Sequence, residues 1–116
     1  MSNKRLLTGI KPTGAPHIGN FFGAIQPALG LSSEENMESL FFIADYHALT
    51  TVKNAANLKL LSLQVAASWL ACGLDPSKVL FYRQSDIPEI FELNWILSCV
   101  AAKGLLNRAH AYKALV

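Results

Sequence analysis

The sequence predicts an α/β fold built on a parallel sheet, and three observations carry that expectation. Short β-branched or aromatic runs alternate with longer stretches of helical spacing, the pattern of repeated strand–helix–strand units. Leu40-Phe41-Phe42-Ile43-Ala44 is apolar without a break, as a strand covered on both faces should be. A loop rich in proline and glycine separates the first strand from the first helix, where open parallel sheets take their ligands.

In chain order, the first strand is expected over Leu6–Ile10, closed by Lys11-Pro12-Thr13-Gly14-Ala15-Pro16, which reads as a loop. A helix should run from about His17 to Leu29 or Gly30, followed by a polar connection. The second strand, Leu40–Ala44, stops at Asp45-Tyr46-His47. The next helix can be capped by Asn54 or Asn57. Leu58, Leu61, Val65, Trp69 and Cys72 recur on it at helical spacing, beside a second row of Leu60, Leu63, Ala67 and Leu70. So wide an apolar surface implies a helix wedged between the sheet and other chain. Gly73 ends it and Asp75-Pro76 prevents a restart. Val79–Tyr82 is the third strand. Asp86-Ile87-Pro88-Glu89 then reads as a capping box opening a helix to about Ala102, with Lys103-Gly104 as a break and Leu105–Val116 as the start of another helix. Three strands and their crossovers amount to the N-terminal half of a Rossmann-type parallel-sheet nucleotide-binding domain. Trp69 and Trp95 are expected to anchor packing.

Composition sets outer limits. The 116 residues are 52% hydrophobic and 16% charged, which excludes a disordered chain and permits one compact domain or a piece of a larger one. Ten basic against eight acidic residues leave a net charge of +2, too balanced for a protein that grips a polyanion with its whole surface. No apolar run is long enough to span a membrane, and the N-terminus lacks the apolar core of a secretory signal. Cys72 and Cys99 lie inside apolar stretches and read as reduced core thiols of a cytosolic protein, ahead of a disulfide or a metal pair.

The loop after the first strand carries the chemistry. Gly9-Ile-Lys-Pro-Thr-Gly14-Ala-Pro-His17-Ile-Gly19-Asn20 is not a Walker A loop, and its glycines do not fall as G-x-G-x-x-G. His17 and Asn20 stand three apart, on one face of the first helical turn. Both can donate hydrogen bonds at the positive end of the helix dipole, an arrangement suited to phosphate oxygens. Gly19 between them removes a side chain and lets a flat ring or ribose approach the backbone.

Pro-His-Ile-Gly-Asn (16–20) resembles the HIGH-type signature of class I aminoacyl-tRNA synthetases, and Gly-Ile-Lys-Pro-Thr-Gly (9–14) followed by HIGN is similar to the tryptophanyl-tRNA synthetase family. The resemblance continues through Phe41-Phe-Ile-Ala-Asp-Tyr-His-Ala-Leu-Thr50, Trp69-Leu-Ala-Cys-Gly-Leu-Asp-Pro76, Phe81-Tyr-Arg-Gln-Ser-Asp-Ile-Pro88 and Lys103-Gly-Leu-Leu-Asn-Arg108, covering nearly the whole chain in order. Two positions depart from many members, which carry Gln where this chain has Lys11 and Thr where it has His17.

That resemblance implies a reaction in which ATP and L-tryptophan form tryptophanyl-adenylate and pyrophosphate, after which tRNA(Trp) is charged. It implies that His17 and Asn20 hold ATP phosphates as the catalytic pair. Lys11, Pro12, Thr13 and Gly19 would line the nucleotide, and Leu7, Gly9, Ala44 and His47 would converge on the amino acid. Asp45 reads rather as a cap for the turn after its strand. Magnesium would arrive on ATP, and no resident metal site is expected. The resemblance assigns residues 1–85 to the first half of the catalytic domain and 86–116 to the helical start of a connecting insert that forms a homodimer, in a cytoplasmic enzyme. The family's KMSKS-type lysine loop, its second Rossmann half, its anticodon-binding domain and the carboxylate that reads the indole N–H are expected beyond residue 116. The chain therefore reads as the N-terminal portion of a longer protein, inactive alone. Arg108, His110 and Lys113 form either a solvated basic face or a contact for phosphates or tRNA. The competing readings are a small HIGH-motif nucleotidyltransferase, tyrosyl-tRNA synthetase, or a binding-only piece.

Overall fold

The computed structural model describes residues 4–109 and residue 113. The chain divides into two compact units, Met1–Asp86 and Ile87–Val116.

The first unit is a three-stranded parallel sheet in the order β1-β2-β3, formed by β1 (Lys4–Ile10), β2 (Met37–Ile43) and β3 (Val79–Arg83). Gly9 pairs with Phe42 and Ile10 with Ile43, while Phe42 and Ile43 face Tyr82 and Arg83, so the three strands end together. The β1–β2 crossover contains α1 (Ile18–Asn20), a π turn (Phe21–Ile25) and α2 (Gln26–Ser32). The β2–β3 crossover contains α3 (Asp45–Ala48) and α4 (Ala55–Ala71). This is the expected α/β, Rossmann-type arrangement.

Alternation along the strands decides which residues meet the helices. Ile10, Phe41, Ile43 and Val79 pack with Ile25, Ala28, Val65, Trp69 and Leu74 in one buried cluster. Trp69 is its centre, fully buried with its ring 4.9 Å from Phe41 and 6.2 Å from Phe81. The opposite sheet face carries Leu7, Leu40, Phe42, Leu80 and Tyr82 and has no layer over it within this unit; Leu7 is 62% and Leu80 61% exposed. Coverage of β2 on both faces is thus corrected to coverage on one. The cause is topological, because both crossovers place their helices on the same side.

Helix α4 is corrected in the same way. Asn54 caps it by accepting the Asn57 N–H at 2.9 Å, and Gly73 terminates it at φ +100°, both as expected. Its Val65–Trp69 row meets the sheet, but Leu60, Leu63 and Leu70 are exposed, so no second layer wedges it within the unit. Cys72 and Cys99 are free and exposed rather than core thiols; Cys72 stands at the C-terminal end of α4, and α5 carries no buried residue.

The helix after the first loop is not regular. Pro27 has no N–H to donate and its ring crowds the carbonyl of Gly23, one turn earlier. The chain responds by widening into the π turn, in which the Gln26 N–H reaches back five residues to the Phe21 carbonyl.

In the second unit, α5 (Glu89–Val100) begins after Pro88 with no side-chain cap. The expected capping box does not form, because Asp86 is already engaged: it accepts the Arg83 N–H at 2.9 Å and the Arg83 guanidinium at 2.6 Å. Trp95, expected as a packing anchor, is 72% exposed. The break falls at Ala101 and Ala102, both extended, and Lys103-Gly104 open the short α6 (Lys103–Leu106) instead of interrupting a helix. His110 and half of the helix expected over Leu105–Val116 lie outside the described residues.

Candidate functional site

Parallel strands that end together place their following loops side by side, and the candidate site is assembled from those loops. After β1, the Thr13 N–H closes on the Lys11 carbonyl at 3.0 Å around Pro12. Pro12 is fully buried and serves as the loop's anchor, leaving Lys11 and Thr13 exposed.

The loop ends at His17, which caps α1 in a reciprocal box. His17 Nδ1 accepts the Gly19 N–H at 3.1 Å, and Asn20 Oδ1 accepts the His17 N–H at 3.0 Å. A ring nitrogen that accepts has no proton, so the neutral imidazole carries its hydrogen on Nε2. The cap therefore uses one acceptor from each side chain and leaves each with a donor, Nε2–H of His17 and the NH₂ of Asn20. Both residues line a cleft of about 280 Å³ together with Lys11, Thr13 and Gly14.

Gly19 has a second physical reason beyond room for a ligand. A Cβ there would stand 2.9 Å from His17 Cε1 and 3.0 Å from Nδ1, inside contact distance. Gly19→Ala is therefore expected to push the imidazole off the cap and cost about 1 kcal/mol, the usual value of an N-cap. Thermal unfolding of the variant will read the loss; a variant that melts with the parent contradicts it.

A wider cleft of about 700 Å³ adjoins the same loop, lined by Lys11, Thr13, Thr51, Lys53 and the start of α4. The Lys11 ammonium donates to Thr50 Oγ at 2.8 Å, and the Lys53 ammonium donates to the Leu49 carbonyl at 2.7 Å. Two cations thus border one cleft, which favours an anionic occupant.

After β2, the Ala44 N–H donates to the Ile10 carbonyl at 2.9 Å and ties the first two strand ends together. Ala44 is buried. Asp45, 8% exposed, accepts the Tyr46 N–H at 3.1 Å and the Ser85 N–H at 3.0 Å, fastening the turn after β3. His47 is exposed and its Nδ1 lies 2.9 Å from Oε1 of the buried Gln84. Leu7 and Gly9 lie instead on the open sheet face, where a Cβ on Gly9 would meet the Phe42 ring at 2.7 Å and the Phe42 carbonyl at 2.8 Å. Thus the structure joins Lys11, Thr13, His17, Gly19 and Asn20 around one loop, and His47 and Ala44 at the end of β2. Leu7 and Gly9 reach the region only along the uncovered face.

Thr50 and Gln84 were not singled out by sequence. Gln84 directly follows β3, as Lys11 follows β1, and that equivalence of position was the available signal. Among the described residues, no group of three or more His, Cys, Asp or Glu could hold a metal ion, and no helix is long and apolar enough to cross a membrane.

Comparison with known proteins places these features in context. The family described as tRNA synthetases class I (W and Y) matches residues 2–116. The tryptophan–tRNA ligase of Neisseria meningitidis is 56% identical over 116 residues, all of this chain and 34% of its own length. That of Pseudomonas putida is 61% identical over 112 residues, 97% of this chain and 25% of its own length. A crystal structure of tryptophanyl-tRNA synthetase from Campylobacter jejuni, complexed with ADP and tryptophan, superposes with a TM-score of 0.85 at 47% identity, covering 95% of this chain and 34% of that one. The chain thus spans a quarter to a third of the length of the relatives it matches.

Proposed function

The chain belongs to the class I tRNA synthetases of the tryptophan and tyrosine group, and from that membership we propose that it supplies the nucleotide side of a tryptophan-activating site. The observation that carries this reading is the cap at residues 17–20, which spends two acceptors and leaves two donors at the mouth of a cleft.

In the proposed reaction a carboxylate oxygen of L-tryptophan attacks the α-phosphorus of ATP, and the bond to the bridging oxygen breaks, releasing pyrophosphate. The 3′-terminal adenosine of tRNA(Trp) then takes the acyl group and AMP departs. No protein nucleophile is required; the work is positioning and neutralisation of charge on the phosphates. His17 and Asn20 donate to phosphate oxygens, Lys11 adds a point charge, and Thr13 and Gly19 border the nucleotide, with Pro12 holding the loop beneath them. Leu7, Gly9, Ala44 and His47 serve the amino-acid side. Magnesium enters with the nucleotide, held by its phosphates. Residues 1–85 form the first half of the catalytic domain. Residues 86–116 begin an insert through which two copies pair in the cytoplasm, a role that suits the exposed Phe91, Trp95 and Ile96 of α5. The C. jejuni relative's complex with ADP and tryptophan supports both ligands.

The test exchanges this chain for the matching segment of the N. meningitidis ligase and measures ATP–pyrophosphate exchange. Exchange that depends on tryptophan and not on tyrosine is expected from the hybrid, with none above background from the 116 residues alone. Exchange driven by tyrosine, or a hybrid that folds and is silent, overturns the reading.

A further inference from the structure

The segments that follow the three strands are linked by a run of hydrogen bonds through the side chains of Lys11, Thr50, His47 and Gln84 and the His47 carbonyl. Lys11 donates to Thr50, the Thr50 hydroxyl donates to the His47 carbonyl at 2.8 Å, and the His47 ring meets Gln84 at 2.9 Å. Gln84 is the buried member, 7% exposed. Its backbone neighbours are fixed as well: Asp45 accepts the Ser85 N–H, and the Tyr46 hydroxyl lies 3.5 Å from the Ser85 carbonyl. The buried Gln84 amide presents its oxygen to the histidine.

We propose that Gln84 is a positioning residue for the amino-acid side of the site, fixing His47 as the Nδ1–H tautomer so that Nε2 faces outward as a hydrogen-bond acceptor for an N–H donor of the amino acid. This rests on the assignment of His47 to that side under the proposed function. His47 is thereby complementary to His17. His17 accepts through Nδ1 and keeps a donor for oxygen-rich phosphate, whereas His47 donates through Nδ1 and keeps an acceptor. Two histidines at neighbouring strand ends are thereby given opposite polarity by their local partners, one for an anion and one for an ammonium or indole N–H.

The first test needs no activity. Long-range ¹H–¹⁵N correlation spectra of the 116-residue chain at alkaline pH distinguish a protonated ring nitrogen from a bare one. His47 should carry its proton on Nδ1, Gln84→Glu should keep it there because a carboxylate oxygen replaces the amide oxygen, and Gln84→Met should return the ring to the Nε2–H form favoured in water. An Nε2–H signal for His47 in the parent chain overturns the proposal, whether or not the methionine variant folds. The second test uses the active hybrid. Gln84→Met should raise KM for tryptophan about tenfold, the worth of one neutral hydrogen bond, while KM for ATP stays in place. Equal effects on both KM values would mark Gln84 as merely structural and overturn it. With 1-methyltryptophan the penalty persists if the ammonium is read and vanishes if the indole N–H is. A silent hybrid would defeat the functional reading, and the tautomer measurement would still decide this one.

Discussion

His17→Ala and Asn20→Ala, each placed in the hybrid ligase, will lower the rate of tryptophan activation about a hundredfold while tryptophan binding changes by less than about twofold. The asymmetry follows from position: both side chains stand at the start of α1, after β1, and line the cleft that the proposed reaction assigns to the phosphates. Removing one preorganised donor to developing negative charge costs roughly 3 kcal/mol, and that charge exists only while the phosphoryl group is in transit. Each variant also loses half of the capping box, so the measurement must include thermal unfolding. A cap is worth about 1 kcal/mol, too little to account for a hundredfold loss of rate in a protein that stays folded. Pre-steady-state adenylate formation that matches the parent in both variants would remove these residues from the site.

Trp69→Ala will destabilise the chain by about 3–5 kcal/mol, a large share of the 5–15 kcal/mol that holds a typical domain together. Trp69 has no exposed surface and touches aromatic rings on β2 and β3, so its removal leaves a cavity between α4 and the sheet. Its indole Nε1 has no hydrogen-bond partner, and neither has the buried Ser39 hydroxyl. Trp69→Phe should therefore lose less than half as much, since it discards the unpaired donor along with the second ring. Chemical denaturation of both variants checks the pair; equal losses would show that the shape of the indole, and not its apolar bulk, is what the core requires.

The strands were legible because their cores are short apolar runs bounded by turn residues, and Leu6–Ile10 and Val79–Tyr82 fall within the observed β1 and β3. Strand β2 begins at Met37, earlier than expected, because Glu38 and Ser39 look like loop residues in isolation. Pairing with Arg5 and Leu6 makes them strand, and the Arg5–Glu38 ion pair at 2.6 Å sits on that register. The short α3 and the turn at Gln84–Asp86 were missed, since neither is long enough to show a period. The placement of His17 and Asn20 on one face of the first helical turn was readable from spacing alone. Their reciprocal cap was not, because which ring nitrogen accepts depends on the Gly19 N–H, a backbone group with no signature in sequence. Asp86 was misread as a cap for α5 for a related reason. Sequence shows which residues could serve a helix start but not which nearby guanidinium reaches them first.

The π turn at Phe21–Ile25 gives the first crossover a length reserve of one residue. Upstream of it lies the motif that faces the cleft, while Ile25 at its end and Ala28 beyond it face the core. A regular helix of the same length would rotate one group against the other by about 100°, the angle subtended by a single residue. Loss of one residue within the turn closes it to α geometry and leaves both groups on their present bearings. Gain of one residue has no such outlet. Deleting one residue of the turn is therefore expected to keep the phase between motif and core, whereas inserting one is expected to shift it by about 100°.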